Sequence, residues 1–383
     1  MKRGMNNTDI KRSNRGLFLK YIALGQANSR FALSRATGLT KMTSGNIVQE
    51  LLNQGLIDAD DTQRSDASGP NPQHLTVSKS APRIVGVYLS RDELVVSVGD
   101  LSGKLLYLET TSLKKETAQS VSEKLIQGVR KAIALQNSNV FAIGAAVIGP
   151  IDRDGAISNT PNFFGISYLP VKALLSDTFG LPVIVYNDTS AAAVAEQLIG
   201  HGRYRNFAYI CIANGIAAGI INNGELLTSD RFFVGELGHT TIDFGGKPCP
   251  CGNRGCLELY ANIPVICKRL ESAVGHPVDV QDFGALAEIP ACDAIFREVS
   301  EKLSAALINL ANLVNPKAFI IGHNGYYIPE QYIKAMEQRV NQIKFMRNTS
   351  PIEVKKSFLT DRAAVYGSFC CVLREVFAGN ILF

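Results

Sequence analysis

Two short segments carry most of the information in this sequence: Gly235–His239, which reads GELGH, and Cys249–Glu258, which reads CPCGNRGCLE. The second segment spaces three cysteines as C-x-C-x4-C and begins ten residues after the histidine that ends the first. One imidazole and three thiolates form a four-ligand N/S set of the kind that tetrahedral zinc takes in structural sites. The pattern therefore predicts structural zinc. Its predicted ligands are His239, Cys249, Cys251 and Cys256.

The alternative for these cysteines is a set of buried free thiols on a glycine-rich loop, since cysteine is often buried as a small apolar side chain. Three of the eight cysteines fall within eight residues, however, and core cysteines are rarely clustered in this way. Glu236 and Glu258 each lie within three residues of a proposed ligand. A metal would therefore hold two carboxylates in fixed positions, which suits binding of the hydroxyls of a polar small molecule.

Composition limits the class of protein. At 383 residues, with 46% hydrophobic and 19% charged residues, the chain is predicted to be a globular protein of two or three domains. The longest apolar run, residues 207–221, is interrupted by Asn214 and Gly215 and is too short to span a bilayer. The basic start has no apolar segment behind it, so no signal peptide is expected. Cysteines kept as thiols for metal binding fit the reducing cytoplasm, so a cytoplasmic location is predicted. No membrane partner is expected.

The net charge of +5 is distributed unevenly. Residues 1–41 contain nine Lys or Arg and a single acid, Asp9, so this segment carries +8 and the rest of the chain −3. A basic head on a mildly acidic body indicates a module that binds a polyanion, joined to a domain with another role. A solvated basic surface with no partner is the alternative.

From Ile84 onward, strand-like and helix-like segments alternate, which predicts a layered α/β fold. One predicted strand, Pro182–Tyr186, ends at Asn187 and Asp188, before the alanine-rich helix predicted over Thr189–Ile199. Polar side chains at the carboxyl end of a strand lie where open α/β sheets usually bind ligands. An ordinary helix N-cap is the other explanation for this pair.

The combined pattern GExGH…CxCGxxGCLE resembles the signature of the ROK family, which contains sugar kinases and sugar-responsive transcription regulators. The resemblance implies two α/β lobes of the actin-like or hexokinase-like type, with a sugar between them. It also implies domains at residues 1–80, at 81–190 plus 360–383, and at 191–359. The sugar contacts that it implies are Asn162, Asn187, Asp188, Glu236, His239 and Glu258.

The basic head has the pattern of a winged helix-turn-helix. Apolar periodicity over Leu17–Leu24 predicts a first helix. Ser29 and Gly38 have the residue types expected at the two ends of a second helix, Arg30–Thr37, and a third is predicted over Thr40–Gln54. The predicted apolar contacts of the second helix are Phe31, Leu33 and Ala36.

The N-terminal half of the third helix is the part that would enter the major groove. The polar run before the short strand Gln73–Val77 resembles a wing, but residues 69–72 read Gly-Pro-Asn-Pro where the family usually has Gly-Arg-x-Pro, which makes Arg64 the nearest candidate for the minor groove. A three-helix module that docks a protein is the alternative. The predicted DNA contacts are Arg30, Thr40, Lys41, Met42, Thr43, Gly45, Asn46, Gln49 and Arg64.

The segments that match the nucleotide-binding loops of ROK kinases lack the residues that such loops need. The Asp-x-Gly-Gly-Thr loop of the family reads YLSRD at Tyr88–Asp92, and the second glycine-rich loop reads ANGIAAG at Ala213–Gly219. A third Gly-Gly pair reads Gly322-His323. Glycines let backbone amides approach phosphates, and Asp92 with Glu93 would place negative charge there instead. The chain is therefore predicted not to be an enzyme.

These features together predict a sugar-responsive transcription regulator, acting as a repressor of carbohydrate metabolism genes. Its predicted partners are a pseudo-palindromic double-stranded DNA operator, a monosaccharide effector and a second copy of the chain, in a homodimer or a higher homo-oligomer. The alternatives are a ROK sugar kinase with an added DNA-binding head, and a DNA-binding protein whose body senses a partner protein instead of a sugar.

Overall fold

The computed structural model describes residues 6–60, 73–114, 116–137, 139–158, 160, 163–200, 202, 204–229, 234–345 and 350–381. In chain order its helices are α1 (Asn7–Ala23), α2 (Arg30–Thr37), α3 (Lys41–Asn53), α4 (Ala118–Leu135), α5 (Val171–Phe179), α6 (Asp188–Leu198), α7 (Glu258–Ala261), α8 (Ile263–Val274), α9 (Phe283–Leu286), α10 (Pro290–Val314), α11 (Glu330–Ile343) and α12 (Ala363–Phe377). Across these residues, every helix is too short or too polar to serve as a transmembrane segment.

The strands are β1 (Ile57–Asp60), β2 (His74–Val77), β3 (Arg83–Leu89), β4 (Glu93–Gly99), β5 (Leu105–Ser112), β6 (Val140–Val147), β7 (Ile157–Ser158), β8 (Tyr168–Leu169), β9 (Val183–Asn187), β10 (Phe207–Ile212), β11 (Ile216–Asn222), β12 (Glu225–Leu226), β13 (Ala318–Gly322) and β14 (Glu353–Lys356). The chain forms two compact units. The first contains Met1–Gly149, Asp154–Tyr186 and Ser368–Phe383, and the second contains Pro150–Arg153 and Asn187–Gly367.

The N-terminal part of the first unit is helical, and its helix ends lie where the capping residues predict. Ser29 Oγ accepts a hydrogen bond from the Ala32 amide at 3.2 Å, so it caps α2. Gly38 ends α2 in the left-handed conformation, with φ of 72°. Thr40 Oγ1 accepts from the Thr43 amide at 3.2 Å and caps α3. The hairpin of β1 and β2, paired antiparallel, follows these helices.

The predicted apolar contacts of α2 are wrong in two of three cases. Leu33 is buried, but Phe31 is 64% exposed and Ala36 is exposed as well. Residues two apart on a helix point in nearly opposite directions, so Phe31 cannot share a face with Leu33. Because α2 has only eight residues, it buries a single large side chain rather than a stripe.

Each unit contains a five-stranded sheet among the residues described. In the first unit the order is β5-β4-β3-β6-β9, with β3 parallel to β6 and antiparallel to β4. In the second unit the order is β12-β11-β10-β13-β14, with β10 parallel to β13 and antiparallel to β11. The central strands β3, β4, β6, β10 and β13 are almost wholly buried, as apolar runs covered on both faces should be. The predicted layered α/β fold with two lobes is confirmed.

The segment order follows the prediction closely, but several helices are additional. Glu298–Val314 is one of the segments that continue the alternation in the sequence, and in the structure it forms the greater part of α10, which begins at Pro290. The helices α5, α8 and α11 and the edge strand β14 were not assigned from the sequence pattern. In the second unit, α10 and α11 pack against each other, with Phe296 stacked on Tyr332 at 5.2 Å between ring centroids.

The last helix, α12, packs closely on the sheet of the first unit. A Cβ atom added to Gly144 in β6 would overlap the carbonyl oxygen of Ser368, and one added to Gly86 in β3 would overlap the Ser368 hydroxyl. The two glycines therefore let the helix backbone approach two neighbouring strands. This approach fixes where α12 lies on the sheet.

We expect Gly144→Ala to destabilise the protein by roughly 1–3 kcal/mol or more, because the new methyl group must displace the α12 backbone. Gly284→Ala is the matched control, since Gly284 lies in α9 with open space around its Cβ position. Alanine is the better helix former there, so the control should be neutral or slightly stabilising. Urea unfolding followed by circular dichroism measures both, and equal midpoints for the two variants would contradict this packing.

Candidate functional site

The predicted metal ligands converge in the second unit. His239 ends a short 3-10 turn, and the three cysteines lie in the loop that follows. One ligand atom from each of His239, Cys249, Cys251 and Cys256 lies within 4.8 Å of all the others. Cys249 Sγ is 3.8 Å from His239 Nδ1, and Cys251 Sγ is 3.7 Å from Cys256 Sγ.

These distances fit a tetrahedral ion. With Zn–S bonds of about 2.3 Å and Zn–N bonds of about 2.0 Å, tetrahedral angles place neighbouring ligand atoms roughly 3.5–3.8 Å apart. Cys249 and Cys256 are buried, whereas Cys251 is exposed, which is not the environment of a core cysteine. The cluster can therefore hold a metal ion.

The thiols of the cluster differ in their pKa values. Hydrogen bonding, first from the backbone of Asn253 and then from Cys249, lowers the pKa of Cys251 to about 7. Burial, with the neighbouring thiols, raises the pKa of Cys256 to about 12. A divalent cation at the centre would favour the thiolate form of each cysteine, because it supplies the positive charge that burial otherwise denies them.

Backbone hydrogen bonds shape the cysteine loop independently of any ion. The Cys249 amide donates to the Asn253 carbonyl at 2.8 Å, and the Gly252 amide donates to the Cys249 carbonyl at 3.0 Å. Gly252 has a φ of 94°, which favours glycine at this turn. The Asn253 side chain donates to the carbonyl of His239 at 3.2 Å and to Thr241 Oγ1 at 3.0 Å. Sequence reasoning missed Asn253, although its position between two ligand cysteines was a usable signal.

Three carboxylates lie close to this cluster. Glu258 Oε1 is 3.6 Å from His239 Nδ1. Glu236 is exposed as a residue, yet protein surrounds its carboxyl group, and this burial is the largest cause that raises its pKa. The negative charges of Glu258 and Asp188 raise that pKa further, while His239 opposes them. The structure thus brings together four of the predicted sugar contacts.

The pair at the end of β9 serves as a helix cap. Asn187 is the N-cap of α6, and its Oδ1 accepts from the amides of Thr189 at 3.1 Å and Ser190 at 3.4 Å. Asp188 Oδ1 accepts from the Thr189 amide at 2.7 Å. The helix-cap alternative therefore describes Asn187 correctly, although a cap leaves the side-chain amide nitrogen available to a ligand. Asn162 lies outside the described residues.

A buried thiol lies below this pair and was not singled out from the sequence. Cys211 in β10 is 7% exposed, and burial, followed by the charge of Asp188, raises its pKa strongly. Its neutral thiol therefore forms part of the apolar floor under the start of α6. No local sequence signal marks this contact, because β10 and α6 meet only in the folded unit.

Most predicted DNA contacts lie on the surface of the head. Arg30 Nη2 donates to Gln49 Oε1 at 3.4 Å, which links the start of α2 to the exposed face of α3. Met42 is 76% exposed. Thr43 and Gly45 are half-buried. Arg64 lies outside the described residues. The exposed members of the set are Arg30, Thr40, Lys41, Met42, Asn46 and Gln49.

Known proteins resemble this chain over most of its length. The xylose repressor of Caldicellulosiruptor bescii is 28% identical, with 97% of this chain and 98% of that protein covered. Among solved structures, a ROK family transcriptional regulator, a homolog of the E. coli Mlc protein, has a TM-score of 0.82 at 24% identity and covers 97% of this chain and 98% of its own. The ROK hexokinase from Thermus thermophilus has a TM-score of 0.65 at 27% identity, and covers 76% of this chain and 97% of its own.

The regulator thus matches nearly the whole of this chain in fold, including the N-terminal helices, whereas the hexokinase matches about three quarters of it. The model of the ROK family matches residues 84–375, well over half of the chain. The chain belongs to the ROK family.

Proposed function

We propose that the protein is a DNA-binding transcriptional repressor whose affinity for its operator changes when a monosaccharide binds. Residues 1–80 form the DNA-binding head in this proposal, residues 81–190 with 360–383 the first lobe, and residues 191–359 the second. The observation that carries it is the group of three carboxylates around His239 in a chain that also has a capped helix-turn-helix.

The acidic group has the chemistry of a sugar site. Carboxylates accept hydrogen bonds from hydroxyls, and those bonds are stronger than bonds between neutral groups. Asp188, Glu236 and Glu258 offer such acceptors, with the side-chain amide of Asn187 as a donor. The relative from Caldicellulosiruptor bescii is a xylose repressor, so D-xylose is the first effector to test.

Zinc is the metal that the donor set favours, because three sulfur ligands and one imidazole at tetrahedral distances suit it better than Mg²⁺ or Ca²⁺. His239, Cys249, Cys251 and Cys256 would hold it. Bound zinc would supply structural cross-linking rather than chemistry. It would fix the His239 ring beside the Glu258 carboxylate in the proposed sugar site.

Phosphoryl transfer is not part of the proposed function. In the turn after β3, Ser90 Oγ accepts from the amides of Asp92 at 3.3 Å and Glu93 at 3.1 Å, so these two donors are used within the turn. A phosphate-binding loop needs such amides free to face phosphate oxygens. In the second unit, a Cβ at Gly215 would lie 3.4 Å from Glu258 Oε2, so an acid borders the other loop. Clear ATP turnover with any sugar would contradict this part of the proposal.

DNA recognition is assigned to the exposed face of α3 and the start of α2. Lys41, Asn46 and Gln49 are the side-chain types that read base edges in the major groove. Gly45 has open space at its Cβ position, so the backbone of α3 can come close to a neighbouring surface there. A helix-turn-helix of this size reads one half-site, and a homodimer would read a pseudo-palindrome.

For the metal, we expect the purified protein to contain zinc by elemental analysis and Cys251→Ser to reduce the content strongly. The serine hydroxyl is a much poorer ligand for zinc than a thiolate. Cys267→Ser is the matched control, since Cys267 is a half-buried cysteine on α8 outside the cluster. Equal zinc content in the two variants would show that the cluster is not the metal site.

For the sugar, we expect a bound monosaccharide to raise the melting temperature and Asp188→Asn to weaken that binding by roughly 10- to 100-fold. The loss corresponds to about 1.5–3 kcal/mol for a hydrogen bond to a charged group. Thermal shifts with D-xylose, D-glucose and N-acetylglucosamine measure it. Glu301→Gln removes an exposed carboxylate of the same unit and should leave the shift unchanged. Simultaneous loss of sugar and DNA binding would indicate a structural role for Asp188.

For the DNA, we expect Asn46→Ala to weaken operator binding by roughly 1–3 kcal/mol and to relax the preference for one base pair. The probe is a duplex that the wild-type protein selects from a random-sequence pool. Gln119→Ala, an exposed amide on α4, is the control and should bind as the wild type does. If both variants bind with wild-type affinity, α3 is not the recognition helix.

A further inference from the structure

The first helix of the head meets the end of the last helix of the chain through two glycines. A Cβ on Gly16 of α1 would lie 2.6 Å from the carbonyl oxygen of Val376 and 2.7 Å from that of Phe377. A Cβ on Gly379 would lie 2.6 Å from the carbonyl carbon of Arg12, and its φ of 79° favours glycine. Backbone therefore packs on backbone here. We call this contact the glycine seam.

The glycine seam is continuous with the DNA-binding helix. Arg15 Nη1 on α1 is 2.8 Å from Glu50 Oε1 on α3, and Lys11 Nζ is 3.1 Å from the other oxygen of the same carboxylate. The apolar side chains that line the space beside the seam also come from both sides of it. They are Leu19, Leu51, Leu56, Val376 and Ile381. A shift of α1 at the seam must therefore carry α3 with it.

At its other end, α12 packs against the helix that begins at the proposed sugar site. A Cβ on Gly367 would overlap the backbone of Ala191 in α6, whose first residue is Asp188. The buried carboxylate of Glu196, also on α6, accepts from Ser357 Oγ at 2.5 Å and from the Leu359 amide at 3.3 Å, in the segment that leads into α12. Close packing and hydrogen bonds thus join α6 to the start of α12.

We propose that α12 couples the sugar site to the DNA-binding helices, and that the glycine seam holds the head in the orientation that binds the operator. This inference rests on the proposed function. A continuous helix is a rigid element, so a displacement of α6 at one end reaches α1 at the other. Packed backbones shift between discrete arrangements rather than deforming smoothly. Sugar binding opens the seam, and the head then loses its orientation.

The test disrupts the contact between α1 and α12 by a substitution, so that its effect on DNA binding can be measured without a sugar. Gly16→Ala inserts a methyl group into the seam in the full-length protein, and Gly284→Ala is the control on a helix with open space. We expect Gly16→Ala to weaken binding of the selected duplex at least tenfold in the absence of sugar. The ratio of duplex affinities with and without sugar should fall towards one. The sugar concentration that gives half of the thermal shift should stay at its wild-type value.

The sugar probe is whichever of D-xylose, D-glucose and N-acetylglucosamine raises the wild-type melting temperature. If none does, or if the wild type selects no duplex, the proposed function fails rather than the seam. If Gly16→Ala matches Gly284→Ala in duplex affinity and in sugar response, the seam is not the coupling contact and the inference is overturned.

A second measurement on the wild-type protein covers the case in which Gly16→Ala does not fold. Amide hydrogen exchange over residues 7–23 should become faster when the sugar probe is added, because an open seam uncovers α1. Exchange over the control segment α4, at residues 118–135, should not change. Unaltered exchange in α1 at saturating sugar would contradict the inference.

Discussion

The physical constraint on which the site depends is the convergence of three thiols and one imidazole within 4.8 Å. Burial raises the pKa of Cys256, whereas hydrogen bonds lower that of Cys251, so the two thiols differ in how readily they ionise. A divalent ion bound to all four side chains would favour the thiolate form of each cysteine and would join His239 to the loop over residues 249–256. The His239 ring also lies beside Glu258, whose Oε1 is 3.6 Å from Nδ1. In the proposed function such a metal would be structural, and it would act on the sugar only through the position of His239.

The parts of the fold that the sequence predicts are those governed by local rules. Ser29, Gly38 and Thr40 mark helix ends, because a cap depends on residues three or four positions away. Buried strands are recognisable as apolar runs. Phe31 was wrongly predicted to make apolar contacts, because the sequence of a short helix does not show which of its faces neighbouring elements will cover. The glycines that face α12 were beyond prediction, since their partners are more than two hundred residues away in sequence, as with Gly144 and Ser368.

The site shows the same difference between features set by local sequence and features set by long-range contacts. The ligand cluster could be predicted, because all four residues lie within one short stretch of chain and their spacing is itself the signal. The capping role of Asn187, the brace from Asn253 and the thiol of Cys211 below Asp188 depend on how strands and loops meet. Sequence reasoning proposed the residues of a sugar site by type, and the structure adds which of their atoms are already engaged. Asn162 remains a prediction.

A sugar site must meet different requirements in a kinase and in a sensor. A kinase must also hold phosphates, and here the amides after β3 are used by Ser90 instead. A sensor needs only unequal affinity for two arrangements of the protein. Moving an equilibrium from 1:99 to 99:1 takes about 5.5 kcal/mol of differential binding. Hydrogen bonds to charged groups contribute about 1.5–3 kcal/mol each, so two to four of them formed in one arrangement alone are sufficient. In the proposed function Asp188, Glu236 and Glu258 would supply that number, so the proposed switch would need no contact beyond those that recognise the sugar.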